Sequence, residues 1–376
     1  MVNRCVPLVV WGRVLSGGRD LGPTTVALAD GRITALEPAA RPPRGADLVV
    51  RDGWIAPGLI DLQVNGAGGV DFSSAEPEQA LQTVSCVLAR HGVTAFCPTL
   101  VSSPCEEILA RLPALRRGSH SLGAHVEGPF IDPEHCGVHD QRMLRHASSD
   151  EVNAWIAVGP PAIVTLAPEV PGAHEAIVQL SAAGVVVSLG HSGADAATAQ
   201  AALAAGARMG THLFNAMPPL HHRDPGLVGA LLGSNAVLGL IADGVHVDPL
   251  VIDLVVRAVG PARVALVSDA LAAAGTSTGP FALGQQTVHS DGRVVRREDG
   301  TLAGSAVLLD TCVRNARAWL PWLAPAEVVR MATQTPADLL GLARKGRIAV
   351  GADADLVVLD PDWQVTEAIV AGGRHA

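Results

Sequence analysis

Apolar runs of about five to eight residues recur along the middle of this chain, and each is followed by an Ala/Leu-rich stretch of helical period. From Pro57 to Arg344 the strand candidates are GLIDLQV, VTAFCPT, SLGAHVE, PAIVTLAPE, GVVVSLGHS, RMGTHLFN, AVLGLIAD and RVALVSDA. Continuous apolar runs of this length read as strands buried on both faces, and the intervening PEQALQTVSCVLARHG, PCEEILARLPALRRG and DAATAQAALAAG as amphipathic helices. Eight strand-then-helix units predict an α/β fold of the (β/α)8, TIM-barrel type. An open doubly wound sheet is the alternative, but GxGxxG is missing after the first strand and eight units are many for it.

The two ends read differently. TTVALADGRITALEP alternates around Asp30-Gly31, a hairpin signal, and ADLVVRDGWIAPG repeats that pattern around Asp52-Gly53. KGRIAVGADADLVVLDPDWQVTEAIVAGGR is again short strands and turns. Residues 1–56 and 345–376 are therefore expected to build one small β-sandwich domain, with residues 57–344 forming the barrel. Within the barrel, HSDGRVVRREDGTLAGSA carries two Asp-Gly turns and predicts a β-hairpin insert, about residues 281–303, over the barrel mouth.

A barrel places chemistry at the C-terminal ends of its strands, and polar residues interrupt the apolar pattern there. Glu127 ends SLGAHVE, His191 ends VVVSLGH, His212 ends ARMGTH and Asp269 ends RVALVSD. One Glu and two His make an open set of three metal ligands with a position left for water. The 21 residues between the histidines match one strand-helix step, so they belong on neighbouring strands. A lone His is more often satisfied core or polar surface; two on adjacent strand ends, with a Glu and an Asp, favour ligation. Asp269 is then the natural general base for the bound water.

Other histidines are weaker candidates. His246 lies in ADGVHVD just after the seventh strand, and His139 follows Glu127 on a long excursion able to reach over the site. His125, two residues before Glu127, suits a supporting role at least as well as ligation. The first strand has Gln63 and Asn65 where two-metal barrels place HxH, and amides bind transition metals poorly. The single lysine, Lys345, lies outside the barrel, so no lysine carbamate can bridge two ions. These absences predict one divalent ion, with Zn2+ first and Fe2+, Mn2+ or Co2+ as alternatives. In THLFNAMPPLHHRDPG, Asn215 and Ala216 should line the cavity; His221, His222 and Arg223 form a basic cluster in which Arg223 offers a planar fork for phosphate oxygens, a solvated basic turn being an equal alternative on spacing alone.

Length and composition narrow the class without naming it. The 376 residues suit one barrel and a smaller domain, with 48% apolar residues enough for a large core. A net charge of −9 argues against non-specific nucleic-acid binding. Six cysteines (Cys5, Cys86, Cys97, Cys105, Cys136, Cys312) form no CxxC pair and read as free thiols of a reducing compartment. No signal peptide and no run of roughly 18 apolar residues is present, so a cytoplasmic protein is expected.

The segments PGLIDLQVNGAGGVDF, HVEGPFI, LGHSGADAATAQAALAAGA, THLFNAMPPLHHRDPG, ADGVHVD, VSDALAAAG and GTLAGSA occur in order from Pro57 to Ala306. Together they resemble the N-acetylglucosamine-6-phosphate deacetylase family of the amidohydrolase superfamily. The resemblance implies hydrolysis of the acetamide of N-acetyl-D-glucosamine 6-phosphate, with Glu127, His191 and His212 as metal ligands and Asp269 as base and then acid. It implies that His139 assists the carbonyl, and that Asn215, Ala216, His246, Ala303 and Gly304 meet the substrate. It also implies a homodimer in which Arg223 reaches the phosphate across the interface. The family includes members acting on N-acetylgalactosamine 6-phosphate, and no residue of this chain settles the epimer. A D-aminoacylase or cyclic amidase on the same barrel is a rival, although cyclic amidases usually need the missing lysine. A metal-free sugar-phosphate binding protein is the rival without catalysis.

Overall fold

The computed structural model describes residues 7–116 and 120–375; Cys5 lies outside them. All eight predicted barrel strands form, in the expected order: Leu59–Val64, Val93–Leu100, His125–Glu127, Ile163–Leu166, Val186–Leu189, Met209–Gly210, Val237–Ile241 and Val264–Val267. Each pairs in parallel with its sequence neighbours. The seam between the first and eighth closes through one bridge, Val64 with Ala270, where the Asn65 and Gly66 amides donate to the Ala270 carbonyl at 2.8 and 3.0 Å. Ile60, Leu62, Ala95, Cys97, Ile163, Val186, Met209, Ile241 and Val267 share a buried cluster. Helices follow the strands around the outside; Pro77–Arg90, for instance, buries Leu81, Val84 and Leu88, three and four residues apart.

Both chain ends contribute to a second, eight-stranded sheet. Its strands Leu8–Ser16, Arg19–Ala29 and Arg32–Pro38 run antiparallel in succession, and Trp54–Pro57 joins them to Leu356–Leu359 and Val365–Val370 from the other end. Val10, Val26, Ile33, Ile55, Ile348, Leu356 and Ile369 pack together in its core. This is the barrel-plus-small-β-domain architecture the sequence predicts.

Two turn readings fare differently. At Asp30-Gly31 both residues have positive φ (50° and 72°), as a two-residue hairpin with the strand twist requires. Asp52-Gly53 makes no hairpin: Leu48–Val49 and Trp54–Pro57 each pair in parallel with the Leu8–Ser16 strand rather than with each other. Gly53 is needed for close approach instead, since a Cβ there would lie 2.1 Å from the Leu359 carbonyl oxygen. The insert over the mouth has three antiparallel strands, Gly279–Leu283, Gln286–Ser290 and Val295–Arg296. Its Leu283, Val288 and Val295 pack with Val101, Leu271 and Ala303, fixing it against the barrel.

Among the described residues, no helix is long and apolar enough to cross a membrane. Cys86, Cys97, Cys105, Cys136 and Cys312 are all free thiols.

Candidate active site

A cavity of about 240 Å3 opens at the C-terminal end of the barrel, and its wall contains Glu127, His139, His191, His212, Asn215, Ala216, His246, Asp269, Ala303 and Gly304. Ten of the eleven residues singled out from sequence thus share one space. Arg223 is exposed and does not line the cavity of its own chain.

The barrel aims these side chains with a repeated backbone device. Strands five, six and eight end two residues before His191, His212 and Asp269, and those three residues have φ of 49°, 23° and 49°. A residue with a β carbon rarely adopts that region, and holding it there costs about 1–3 kcal/mol. Neighbouring contacts hold the kinks. The His191 carbonyl accepts from the Asp132 amide at 3.0 Å, and the Ser192 amide donates to the Ala216 carbonyl at 3.2 Å.

Glu127 Oε1 lies 3.1 Å from His212 Nε2 and 3.4 Å from His191 Nε2, and the two Nε2 atoms are 3.1 Å apart. Three ligands at about 2.0–2.1 Å from a tetrahedral ion would be separated by about 3.3 Å, so the triangle has the dimensions of a metal site. The His191 tautomer agrees with this. His191 Nδ1 donates to the His135 carbonyl at 3.0 Å, leaving the Nε2 lone pair facing inward. Glu127, although fully buried, is held well below the usual carboxylate range. Burial opposes ionisation, and the two imidazoles outweigh it.

His139 also belongs to this cluster, and Glu127, His139 and His191 present ligand atoms that all lie within 4.8 Å of one another. Its chemistry differs. His139 Nδ1 accepts from the Ser102 amide at 3.2 Å and sits 2.8 Å from the Ser102 hydroxyl, so in the neutral ring the proton is on Nε2. Burial, then the nearby His191, pushes its pKa down to about 3. A neutral Nε2–H donor 3.8 Å from Glu127 Oε2 suits a carbonyl oxygen better than a cation. His125 has no free atom: Nδ1 donates to the Leu62 carbonyl at 3.1 Å and Nε2 accepts from the Thr165 hydroxyl at 2.7 Å.

Asp269 accepts a 2.7 Å hydrogen bond from Asn65 Nδ2. Burial, then the Glu127 charge, pushes its pKa up to about 7, the range expected of a general base that must later return its proton. Gly304 closes over it: a Cβ there would lie 2.5 Å from the Asp269 carbonyl oxygen and 3.1 Å from Oδ2.

Sequence reasoning noted Gln63 and Asn65 only as missing ligands. In the structure they are struts. Gln63 Nε2 donates to Glu127 Oε1 at 2.7 Å, its Oε1 accepts from the Thr211 hydroxyl at 2.9 Å, and Asn65 holds Asp269. The only signal in the chain was their alternate spacing at the end of the first strand.

A family model for the amidohydrolase family matches residues 54–374. The chain is 43% identical to the N-acetylglucosamine-6-phosphate deacetylase of Bos taurus, over 85% of this chain and 82% of the relative. The chain belongs to the amidohydrolase family. Among its other family relatives is the N-acetylgalactosamine-6-phosphate deacetylase of Escherichia coli O157:H7, 37% identical over 92% of this chain and 93% of that one. The Mycobacterium smegmatis N-acetyl-D-glucosamine-6-phosphate deacetylase, solved with N-acetyl-D-glucosamine-6-phosphate, superimposes with a TM-score of 0.93 at 35% identity, covering 98% of this chain and 99% of that one.

Proposed function

We propose that this amidohydrolase cleaves the acetamide of N-acetyl-D-glucosamine 6-phosphate, releasing acetate and glucosamine 6-phosphate. The observation that carries the reading is the triangle of Glu127, His191 and His212 atoms, 3.1–3.4 Å on a side, in one cavity with Asp269. It is supported by the bovine and mycobacterial relatives of that name.

Glu127, His191 and His212 would hold one divalent ion, with Zn2+ fitting a nitrogen- and oxygen-rich tetrahedral set and Fe2+, Mn2+ or Co2+ as alternatives. Such an ion supplies Lewis acidity and makes water a nucleophile near neutral pH. Asp269, oriented by Asn65, accepts the water proton as the new C–O bond forms, and gives it to the amide nitrogen as the C–N bond breaks. His139 Nε2–H donates to the acetamide oxygen, where negative charge develops. Asn215, Ala216, His246, Ala303 and Gly304 contact the sugar from the cavity wall.

Among the described residues no Lys or Arg lines the cavity, which supports an Arg223 contributed by a partner subunit to the phosphate. Leu220, three residues before Arg223, is 51% exposed, as are Leu250 and Leu254 of helix Pro249–Val259 at 66% and 57%. A homodimer would bring this exposed Arg223 to the partner's cavity, as the family resemblance implies. The free thiols suit the reducing cytoplasm.

The galactosamine relative makes the epimer the natural second arm of the test. Acetate release is measured from both amino-sugar phosphates, with and without chelator, beside hydantoin and N-acyl-D-amino acids. Turnover of the glucosamine compound, abolished by chelator and restored by Zn2+, is expected. A faster rate on the galactosamine epimer would reassign the substrate, and no release from either would refute the reading.

A further inference from the structure

An N-acetyl amino-sugar phosphate carries hydroxyls, a phosphate and an amide, and its acetyl methyl is the group that gains from leaving water. Four apolar side chains of the cavity wall, Val101, Val138, Leu271 and Leu283, belong to the cluster that joins the insert to the barrel. Two of them flank the supports of His139. Val138 precedes that residue, and Val101 precedes Ser102, whose hydroxyl lies 2.8 Å from His139 Nδ1.

The proposed reaction fixes which part of the acyl group faces this patch. Three substituents leave the acyl carbon in one plane. The oxygen points to His139 Nε2–H, and the nitrogen, which carries the sugar, points to Asp269. The third is the methyl, about 2.4 Å from the oxygen and on the side away from the sugar. With its oxygen bonded to His139, the methyl lies against the side chains that flank that ring.

Val101, Val138, His139 and Leu283 also bound a second space of about 10 Å3, closed on its far side by Asp140, Met143, Gln285 and Gln286. That is room for about one water molecule and too little for an ethyl or propyl chain. The partition is drawn from three parts of the fold: Val101 follows the second strand, Val138 lies on the excursion after the third, and Leu283 comes from the insert. The insert's turn rests on it, since a Cβ at Gly284 would lie 3.1 Å from Val101 Cγ2. Asp71 Oδ2, from the segment after the first strand, accepts the Gly284 amide at 2.9 Å and anchors that turn.

We infer that Val101, Val138 and Leu283 form an acyl gauge, an apolar seat for the acetyl methyl that is closed behind and turns away longer N-acyl groups. This rests on the deacetylase reading and names the part of the substrate that the insert measures.

Acid release from N-acetyl-, N-propionyl- and N-butyryl-D-glucosamine 6-phosphate by the Zn2+-loaded protein tests it. The readout is the propionyl-to-acetyl ratio of kcat/KM, from which a fraction of unfolded protein or a general weakening of the site cancels. Wild type should favour acetyl over propionyl at least about tenfold, and over butyryl by more. Leu283→Ala on the insert and Val101→Ala on the barrel open the cavity to the space behind, and each should raise the ratio at least about tenfold. Either variant carries the test if the other does not fold. A wild type that releases butyrate as fast as acetate, or a folded variant that leaves the ratio unmoved, overturns the gauge and leaves the deacetylase reading standing. No acid from any of the three compounds overturns that reading and the gauge with it.

Discussion

Replacing Gln63 with Leu separates the strut from the site it supports. The side chain is fully buried, and Leu fills similar space while removing the 2.7 Å donor to Glu127 and the 2.9 Å acceptor from Thr211. A hydrogen bond to a charged group is worth about 1.5–3 kcal/mol, and a buried hydroxyl left without a partner costs about 1–3 kcal/mol. The first figure corresponds to roughly ten- to hundredfold in an equilibrium constant, the range found when partners of metal ligands are removed. Part of that loss falls on folding, because the bond is present in the metal-free site. The share that falls on the metal reflects the rotational freedom Glu127 gains and must give up again on binding. Competition with a chromophoric chelator should therefore show metal affinity reduced about tenfold or more. Asn65→Ala is the control, since Asn65 contacts Asp269 rather than a proposed ligand; it should lower kcat and leave metal affinity near wild type. Equal effects of the two variants on affinity, or a Gln63→Leu affinity within threefold of wild type, would refute the strut argument.

Asp269→Asn retains the acceptor for Asn65 and removes the base, so acetate release should fall by about 10²–10⁴ while elemental analysis finds the metal still bound; near-normal turnover would exclude Asp269 as the base. Gly304→Ala puts a methyl 2.5 Å from the Asp269 carbonyl oxygen, and steady-state kinetics should show kcat reduced with metal content unchanged. Trp155→Ala empties a fully buried site where the indole stacks on Phe130 at 5.2 Å; urea unfolding should report a loss of about 3–5 kcal/mol. His91 is held above its ordinary pKa by its 2.8 Å bond to Asp310, against burial. A raised folded-state pKa stabilises below the unfolded value and that contribution disappears as pH rises through the folded one. The stability difference between wild type and His91→Ala should therefore shrink on going from acid to alkaline pH, and a pH-independent difference would contradict it.

The barrel was legible because its strands are buried on both faces and so read as unbroken apolar runs, ended by the polar residues that line the cavity. Even the sixth strand, which ladders over only Met209–Gly210, was found, since its run and its spacing matched its neighbours. Asp52-Gly53 misled because an Asp-Gly pair reports a local turn and cannot report that its flanking segments pair with Leu8–Ser16 instead. The insert was visible as turns, but its third strand is two residues long and lies below what alternation can detect.

The candidate ligands and base stand out by type and position, whereas the residues that touch them do not. Ser102 beneath His139 is 37 residues away from it, Gln63 is 64 from Glu127, and Asn65 is 204 from Asp269. Nothing local marks such residues, because a buried amide or hydroxyl becomes meaningful only when closure of the barrel brings its partner within 3 Å. Closure itself runs through the same place. The first and eighth strands share a single bridge at Val64 and Ala270, immediately beside Asn65 and Asp269. The carboxylate proposed as the base is thus anchored where the cylinder has least main-chain pairing, and side chains take over from the ladder there. Asp61 Oδ1, buried in the same seam, accepts the Gln63 and Ser268 amides at 3.3 and 3.2 Å. The Ser268 hydroxyl in turn reaches the Gln63 carbonyl at 3.4 Å. An exchange of HxH for Gln63 and Asn65 in the first strand therefore changes more than the number of ions held. It converts the strand from a ligand source into the brace that sets both the orientation of Glu127 and the position of Asp269.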